Sequence, residues 1–391
     1  MTSTGATSTG WHQDLGSGAP GTALARIAAA RLTGLPPRAT VPWTRAMMTS
    51  PVTASASASL FYGAPAVAFV LHTGAHPAYA TLLAVLDEHV NDLTAMKLAA
   101  AYERVDCGEL TRPSEYDLIS GLVGLGVYHL VRHGSAASGM TTAVLEYLVA
   151  LAAPICQHGV SLPGWWSGTG PASTPDPAWP MGHLNLGMAH GIAGVLALLS
   201  GAMSVGIQVG GHARAVSELG ATFDRYRQGT SACPWWPAMI SFGEYNLGTA
   251  NSGRQARPSW CYGTPGQARA QQLAGLALGD RERMRLAEHA LAGCVLDRQA
   301  ARLLTDASLC HGWAGVIQAL WRATCDALEP GPLQIALRTA RRSMEDQLAR
   351  MGPRVSSGLL EGRSGIQLTQ NDLPQASSAP PAWDACLLLT L

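Results

Sequence analysis

The sequence predicts an all-α protein built as two concentric layers of helices, and three observations carry that prediction. A Gly-x-x-Gly turn recurs along the chain, each copy opens an apolar run of helix length, and a more polar helical segment separates one copy from the next. Copies spaced by roughly 50 to 70 residues, each joining a polar outer helix to an apolar inner one, describe about six to seven repeats of a ring. Composition agrees. Hydrophobic residues make up 47% of the 391 positions and charged residues only 13%, so several helices lack a polar face and must be buried nearly all round.

The elements follow in order. Residues 1–20, rich in Ser, Thr and Gly, read as a disordered tail with neither the basic start nor the apolar run of a signal peptide, and residues 21–391 as a single domain. Segment 23–35 is a first helix, stopped by Gly34 and the Pro36-Pro37 pair. Tyr62-Gly63-Ala64-Pro65-Ala66 is a degenerate turn in which Ala66 stands for the second glycine. It opens 64–72, and helix 79–102 follows with Asp87, Glu88, Asp92 and Lys97 on its polar face. The turn ending in Gly121-Leu122-Val123-Gly124 opens 122–132, with 141–157 as its partner. Gly191-Ile192-Ala193-Gly194 opens 192–205, followed by the amphipathic 212–227. Gly263-Thr264-Pro265-Gly266 opens 267–278, followed by 281–302; Gly312-Trp313-Ala314-Gly315 opens 316–328, followed by 333–350. Gly362-Arg363-Ser364-Gly365 opens the last helix at 366, and 383–391 is a short apolar end piece. Linkers 159–182 and 229–258 are rich in Pro, Gly, Ser and Trp and leave room for small β elements; Trp165-Trp166 and Trp235-Trp236 either pack beneath them or line a peptide groove.

Several function classes fall away. The formal net charge is zero, so no global field draws the chain to nucleic acid or an anionic membrane. Apolar stretches are interrupted well before the roughly 20 residues a membrane span needs. Lys97 is the sole lysine, which removes a Schiff-base or P-loop lysine at every other position. A soluble, cytoplasmic protein is expected, with its eight cysteines held mostly as thiols.

Aligned turns of a ring occupy equivalent places around its axis. The residue before the first glycine is Tyr62, Ser120, His190, Tyr262, His311 or Glu361, and one position earlier stand Phe61, Ile119, Ala189, Cys261, Cys310 and Leu360. If the turns line one rim, these columns converge on one mouth, with Cys261, Cys310 and His311 as neighbours and His190 close by. Two thiolates and an imidazole suit zinc, and three protein ligands leave a fourth position open, as in a catalytic site. Adjacent residues point about 100° apart on a regular helix, so Cys310 and His311 share an ion only where the backbone is irregular, as beside Gly312. A carboxylate-pair hydrolase is disfavoured, because Glu361 is the one acid in the two columns.

Gly187-Met188-Ala189-His190-Gly191, Trp260-Cys261-Tyr262-Gly263 and Cys310-His311-Gly312, in that order, resemble the signature of the lanthionine synthetase C-like cyclases, and the resemblance runs over essentially the whole chain. It implies an α/α toroid whose zinc is held by Cys261, Cys310 and His311. It also implies acid/base roles for His190 and Asp117 and supporting roles for Arg257 and Tyr262. Asp117 stands four residues before Gly121, and Arg257 four before Cys261; for both, an ion pair tying the rim together is the alternative reading. The implied reaction adds a Cys thiol of a dehydrated precursor peptide, carrying a leader segment, across a dehydroamino acid to close a thioether ring. A separate dehydratase would act before it. The competing reading within the same family is a zinc-containing scaffold that binds thiols or peptides without catalysis.

Overall fold

Several of the glycine turns lead into a run of Ala, Leu and Gly with no polar stripe, and such a run forms a helix that is covered on every side. The computed structural model describes residues 11–133, 138–157, 159–251, 255–350, 356–372 and 382–391. Its inner helices are α1 (Ala19–Leu32), α2 (Ala64–Gly74), α4 (Leu122–His133), α6 (Ile192–Ser204), α8 (Thr264–Leu278), α10 (Trp313–Cys325) and α12 (Arg363–Asp372). In α6 every residue from Ile192 to Ala202 is buried, and in α10 every residue from Trp313 to Ala323. The outer helices are α3 (Ala80–Asp106), α5 (Gly139–Ala150), α7 (His212–Arg225), α9 (Arg281–Leu296) and α11 (Pro330–Arg350). These bury one stripe only: α11, for example, covers Leu333, Ala336, Ala340 and Met344 at helical spacing and leaves its other faces to solvent.

Neighbouring inner helices touch in chain order, and α12 returns to touch α1, so the inner layer closes into a ring with the outer helices packed around it. The expected double ring is therefore observed. Closure depends on residues assigned to a tail from their composition, and that assignment needs correcting. Leu15, Ala19 and Pro20 are buried, and α1 begins at Ala19; residues 1–10 lie outside the described residues. Gly18-Ala19-Pro20-Gly21 is a further copy of the turn. A Cβ on Gly21 would lie 2.3 Å from the carbonyl oxygen of Leu15, as one on Gly266 would lie 2.1 Å from that of Trp260 and one on Gly315 2.0 Å from that of Leu309. The second glycine is thus required by close approach of backbone, and the first segment meets the same requirement.

Two boundaries shift for local reasons. Segment 141–157 stops being helical at Ala150, short of Pro154, and Ile155–Gln157 becomes a strand, β1, paired antiparallel with β2 (Val160–Leu162). Segment 281–302 breaks at Asp297, whose carboxylate caps a separate turn at Arg298–Ala301. The two linkers meet through β3 (His183–Asn185) and β6 (Met239–Ser241), while β4 (Gln228–Thr230) pairs with β5 (Cys233–Trp235). Trp165, Trp166 and Trp236 are buried, and Trp166 packs edge-on against Phe242 at 6.3 Å, so these rings serve packing beneath the linkers.

The chain's last residues fill the ring interior at the end away from the turns. Trp383 and Leu387 to Leu389 are fully buried; Trp260 Nε1 donates to the Leu387 carbonyl at 2.8 Å and Arg269 Nε to that of Leu389 at 3.0 Å. Asp384 takes a two-pronged ion pair from Arg322, and neither group reaches water freely. No helix among the described residues is long and apolar enough to cross a membrane.

Candidate metal centre

The turns are laced together by backbone. Cys261 N–H donates to the Cys310 carbonyl (3.2 Å), Cys310 N–H to that of Leu360 (2.8 Å), Met188 N–H to that of Cys261 (2.8 Å) and Leu118 N–H to that of Ala189 (3.2 Å). Leu360 N–H reaches the Gly16 carbonyl (2.9 Å) and Leu15 N–H that of Phe61 (2.9 Å), so the recovered first turn carries the lacing past the ring's seam. The residues of the two aligned columns therefore stand on one rim. Cys310 and His311 precede α10 rather than lying on it, with Gly312 extended (φ −118°, ψ −168°), and both side chains turn to the same side.

Cys310 Sγ, a His311 ring nitrogen and a Glu361 carboxylate oxygen all lie within 4.8 Å of one another. Cys261 lies outside this group of three but next to it, its backbone N–H on the Cys310 carbonyl and its thiol close enough to Cys310 for the two to shift one another. Side-chain hydrogen bonding with Cys310 is the main reason why Cys261 is lowered to about 7; burial opposes it, and Ser259, whose hydroxyl lies 3.6 Å from the sulfur, adds to the lowering. Cys310 is pushed up by the same hydrogen bond and by burial, so Cys261 is the thiol of the pair that ionises more readily. Two thiols, an imidazole and a carboxylate form a donor set that can hold a divalent metal. Glu361 stands in the rim column of the sequence with no motif that marks it as a ligand.

Behind His311 sits a residue with no motif to announce it. Asp306 Oδ2 is 3.6 Å from His311 Nε2 and 3.7 Å from an Arg257 guanidinium nitrogen, while its Oδ1 accepts from Ser308 N–H at 2.8 Å. Arg257 thus stands on the same side of the rim as His311 and pairs with Asp306 at 3.7 Å.

The second cluster lies across Tyr262. Asp117, fully buried, follows the short helix Pro113–Tyr116; its Oδ1 accepts from the backbone N–H of Ser120 (2.6 Å) and Gly121 (2.9 Å), and its Oδ2 meets His190 Nδ1 at 2.5 Å. The pairing fixes the imidazole and leaves Nε2 for other work, with the His190 side chain 35% exposed. Tyr262 stacks on His190 (5.9 Å between centroids, 27° between planes). Burial, reinforced by the neighbouring Cys261 and Asp117, pushes its phenol up to about 12, so it is a hydrogen-bond donor at neutral pH. Because Cys261 and Tyr262 are adjacent, one turn joins the thiol cluster to the Asp117–His190 pair.

The description "Lanthionine synthetase C-like protein" matches residues 10–388 of the chain. Among characterised proteins, the nisin biosynthesis protein NisC of Lactococcus lactis subsp. lactis is 24% identical over 315 residues, which cover 79% of this chain and 72% of that one. The solved structure of a nisin cyclase superposes with a TM-score of 0.78, covering 97% of this chain and 92% of that chain at 20% identity.

Proposed function

The chain belongs to the lanthionine synthetase C-like family, and from that membership we propose that it is a zinc-dependent lanthipeptide cyclase. It closes thioether rings by adding peptide Cys thiols to dehydroalanine or dehydrobutyrine within the same precursor. The observation that carries this reading is the junction at Cys261-Tyr262, which brings a pair of thiols with an imidazole next to the Asp117–His190 pair on one rim. The similarity to a nisin biosynthesis protein and to a nisin cyclase supports a peptide as substrate.

Cys261, Cys310 and His311 would hold the ion, with Glu361 within reach as a further ligand. Bound there, zinc supplies a lowered proton affinity for the substrate thiol, which free in water titrates at about 8.5. The rest of the reaction belongs to side chains. His190 Nε2 takes the S–H proton as the S–Cβ bond forms, the alkene π pair moves onto the adjacent carbonyl as an enolate, and the α-carbon then takes up a proton. His190, oriented by Asp117, delivers that proton from Nε2. Tyr262, kept neutral at pH 7, and Arg257 face the developing oxyanion as donors, and the two share that role.

The reaction needs a substrate already dehydrated, so a dehydratase acts earlier, and we read it as a separate protein that delivers a precursor with its leader. All eight cysteines are free thiols, which suits the reducing cytoplasm. Incubated with dehydrated precursor, the protein should remove free peptide thiols at constant mass. His190→Asn should keep its metal and close rings roughly 10²-fold more slowly. Zinc and peptide binding with no thiol loss from an authentic substrate would sink the cyclase and leave a binding scaffold.

A further inference from the structure

The chain's one lysine lies on the buried side of its helix. The sequence places Lys97 on the polar face of α3, but it falls on the stripe of Val90, Leu93, Thr94 and Ala101, is half-buried, and its Nζ donates to the Ser120 backbone carbonyl at 2.8 Å. The N–H of Gly121, in the same peptide group as that carbonyl, donates to Asp117 Oδ1 at 2.9 Å. Burial pushes the Lys97 ammonium down from its ordinary value, and the charge of Asp117 pulls it back up. An ammonium held on a buried helix face is costly to desolvate, and the charge of Asp117 offsets part of that cost.

We propose that Lys97 is a positioning residue for the Asp117–His190 pair, its ammonium balancing the buried carboxylate through the peptide group that joins Ser120 to Gly121. Removing that ammonium takes a positive charge away from the pair, which raises the affinity of its members for protons. The other titratable groups facing the pair are Tyr116, fully buried and pushed up by burial and by Asp117, and Tyr262 and Cys261 from the adjoining turn. Both tyrosines are neutral near pH 7, and Glu115 on the same turn is already paired with Arg104 and Tyr147. This inference rests on the acid–base role assigned to His190 above.

The test separates charge from tethering. Lys97→Arg keeps the cation, Lys97→Gln keeps a donor without charge, and Lys97→Met removes both. We expect the pH–rate profile of ring closure to move up by about one pH unit in Lys97→Gln and Lys97→Met and to stay in place in Lys97→Arg. In the substrate-free protein, the downfield imidazole N–H resonance of the Asp117–His190 hydrogen bond should show its pH-dependent change at correspondingly higher pH in the first two variants only. An unmoved resonance and profile in Lys97→Gln, with only a lower melting temperature, would overturn the proposal and leave Lys97 a tether between α3 and the turn. If the resonance moves but wild-type protein closes no rings, the charge relation stands and the cyclase reading falls.

Discussion

Two adjacent residues, Cys261 and Tyr262, do different work because their side chains leave one turn toward different neighbours. Cys261 stands beside Cys310, which lowers its thiol to about 7, whereas Tyr262 lies against His190 and burial pushes its phenol up to about 12. Purified protein should carry roughly one zinc, and Cys261→Ala or Cys310→Ala should lose it while the helical circular dichroism persists. Metal analysis showing full zinc in both variants would remove the site. Glu361, 70% exposed in its side chain, was hidden in the sequence because its column otherwise holds Tyr, Ser and His, and nothing in its own neighbourhood marks it as near a metal. Asp306 had no signal at all, since it reaches His311 by the path of the loop before α10 rather than by spacing.

Every inner helix except α2, where Ala66 takes the place, begins at a turn whose second glycine admits no side chain, because the backbone carbonyl six residues earlier occupies that space. This close approach draws the preceding residues onto the rim and lets the lacing of Cys261, Cys310 and Leu360 form. Gly21 lies on the same geometry at the seam of the ring. Gly21→Ala should cost about 2 kcal/mol or more in unfolding free energy, as overpacking against backbone does, and lower the thermal midpoint. An unchanged midpoint would return residues 11–21 to a loosely attached segment. The sequence concealed this copy because the turn lies inside a Ser/Gly-rich stretch, where composition argues for disorder more strongly than one repeat argues for order.

At the scale of the whole molecule, the toroid is completed by its own last residues. Asp384 pairs with Arg322, and Asp372 of α12 accepts from Trp383 Nε1 (2.8 Å) and Gln318 Nε2 (2.9 Å), fastening the terminal segment to the inner ring. Burial and the nearby Asp384 raise Asp372 to about 6. A carboxyl whose folded value lies above its unfolded one favours folding most below the unfolded value, and that contribution is lost as pH rises through about 6. The shift from 3.8 corresponds to about 3 kcal/mol, so Asp372→Asn, which keeps an acceptor, should flatten the fall in stability between roughly pH 4 and pH 6. Parallel denaturation curves for variant and parent across that range would refute it.

Periodicity and punctuation made the layers legible, since a helix with no polar face must be inner and a striped one outer whatever its partners. Register between repeats likewise brought Cys261, Cys310, His311 and His190 into correspondence before any coordinates, because equivalent positions in a ring converge. What only the tertiary structure decided are contacts made across layers and across the seam: Asp117 against His190, Asp306 behind His311, Lys97 turned inward, and the terminal segment seated in the ring. These join residues far apart in the chain through backbone carbonyls and buried charges, and neither leaves a period in the sequence.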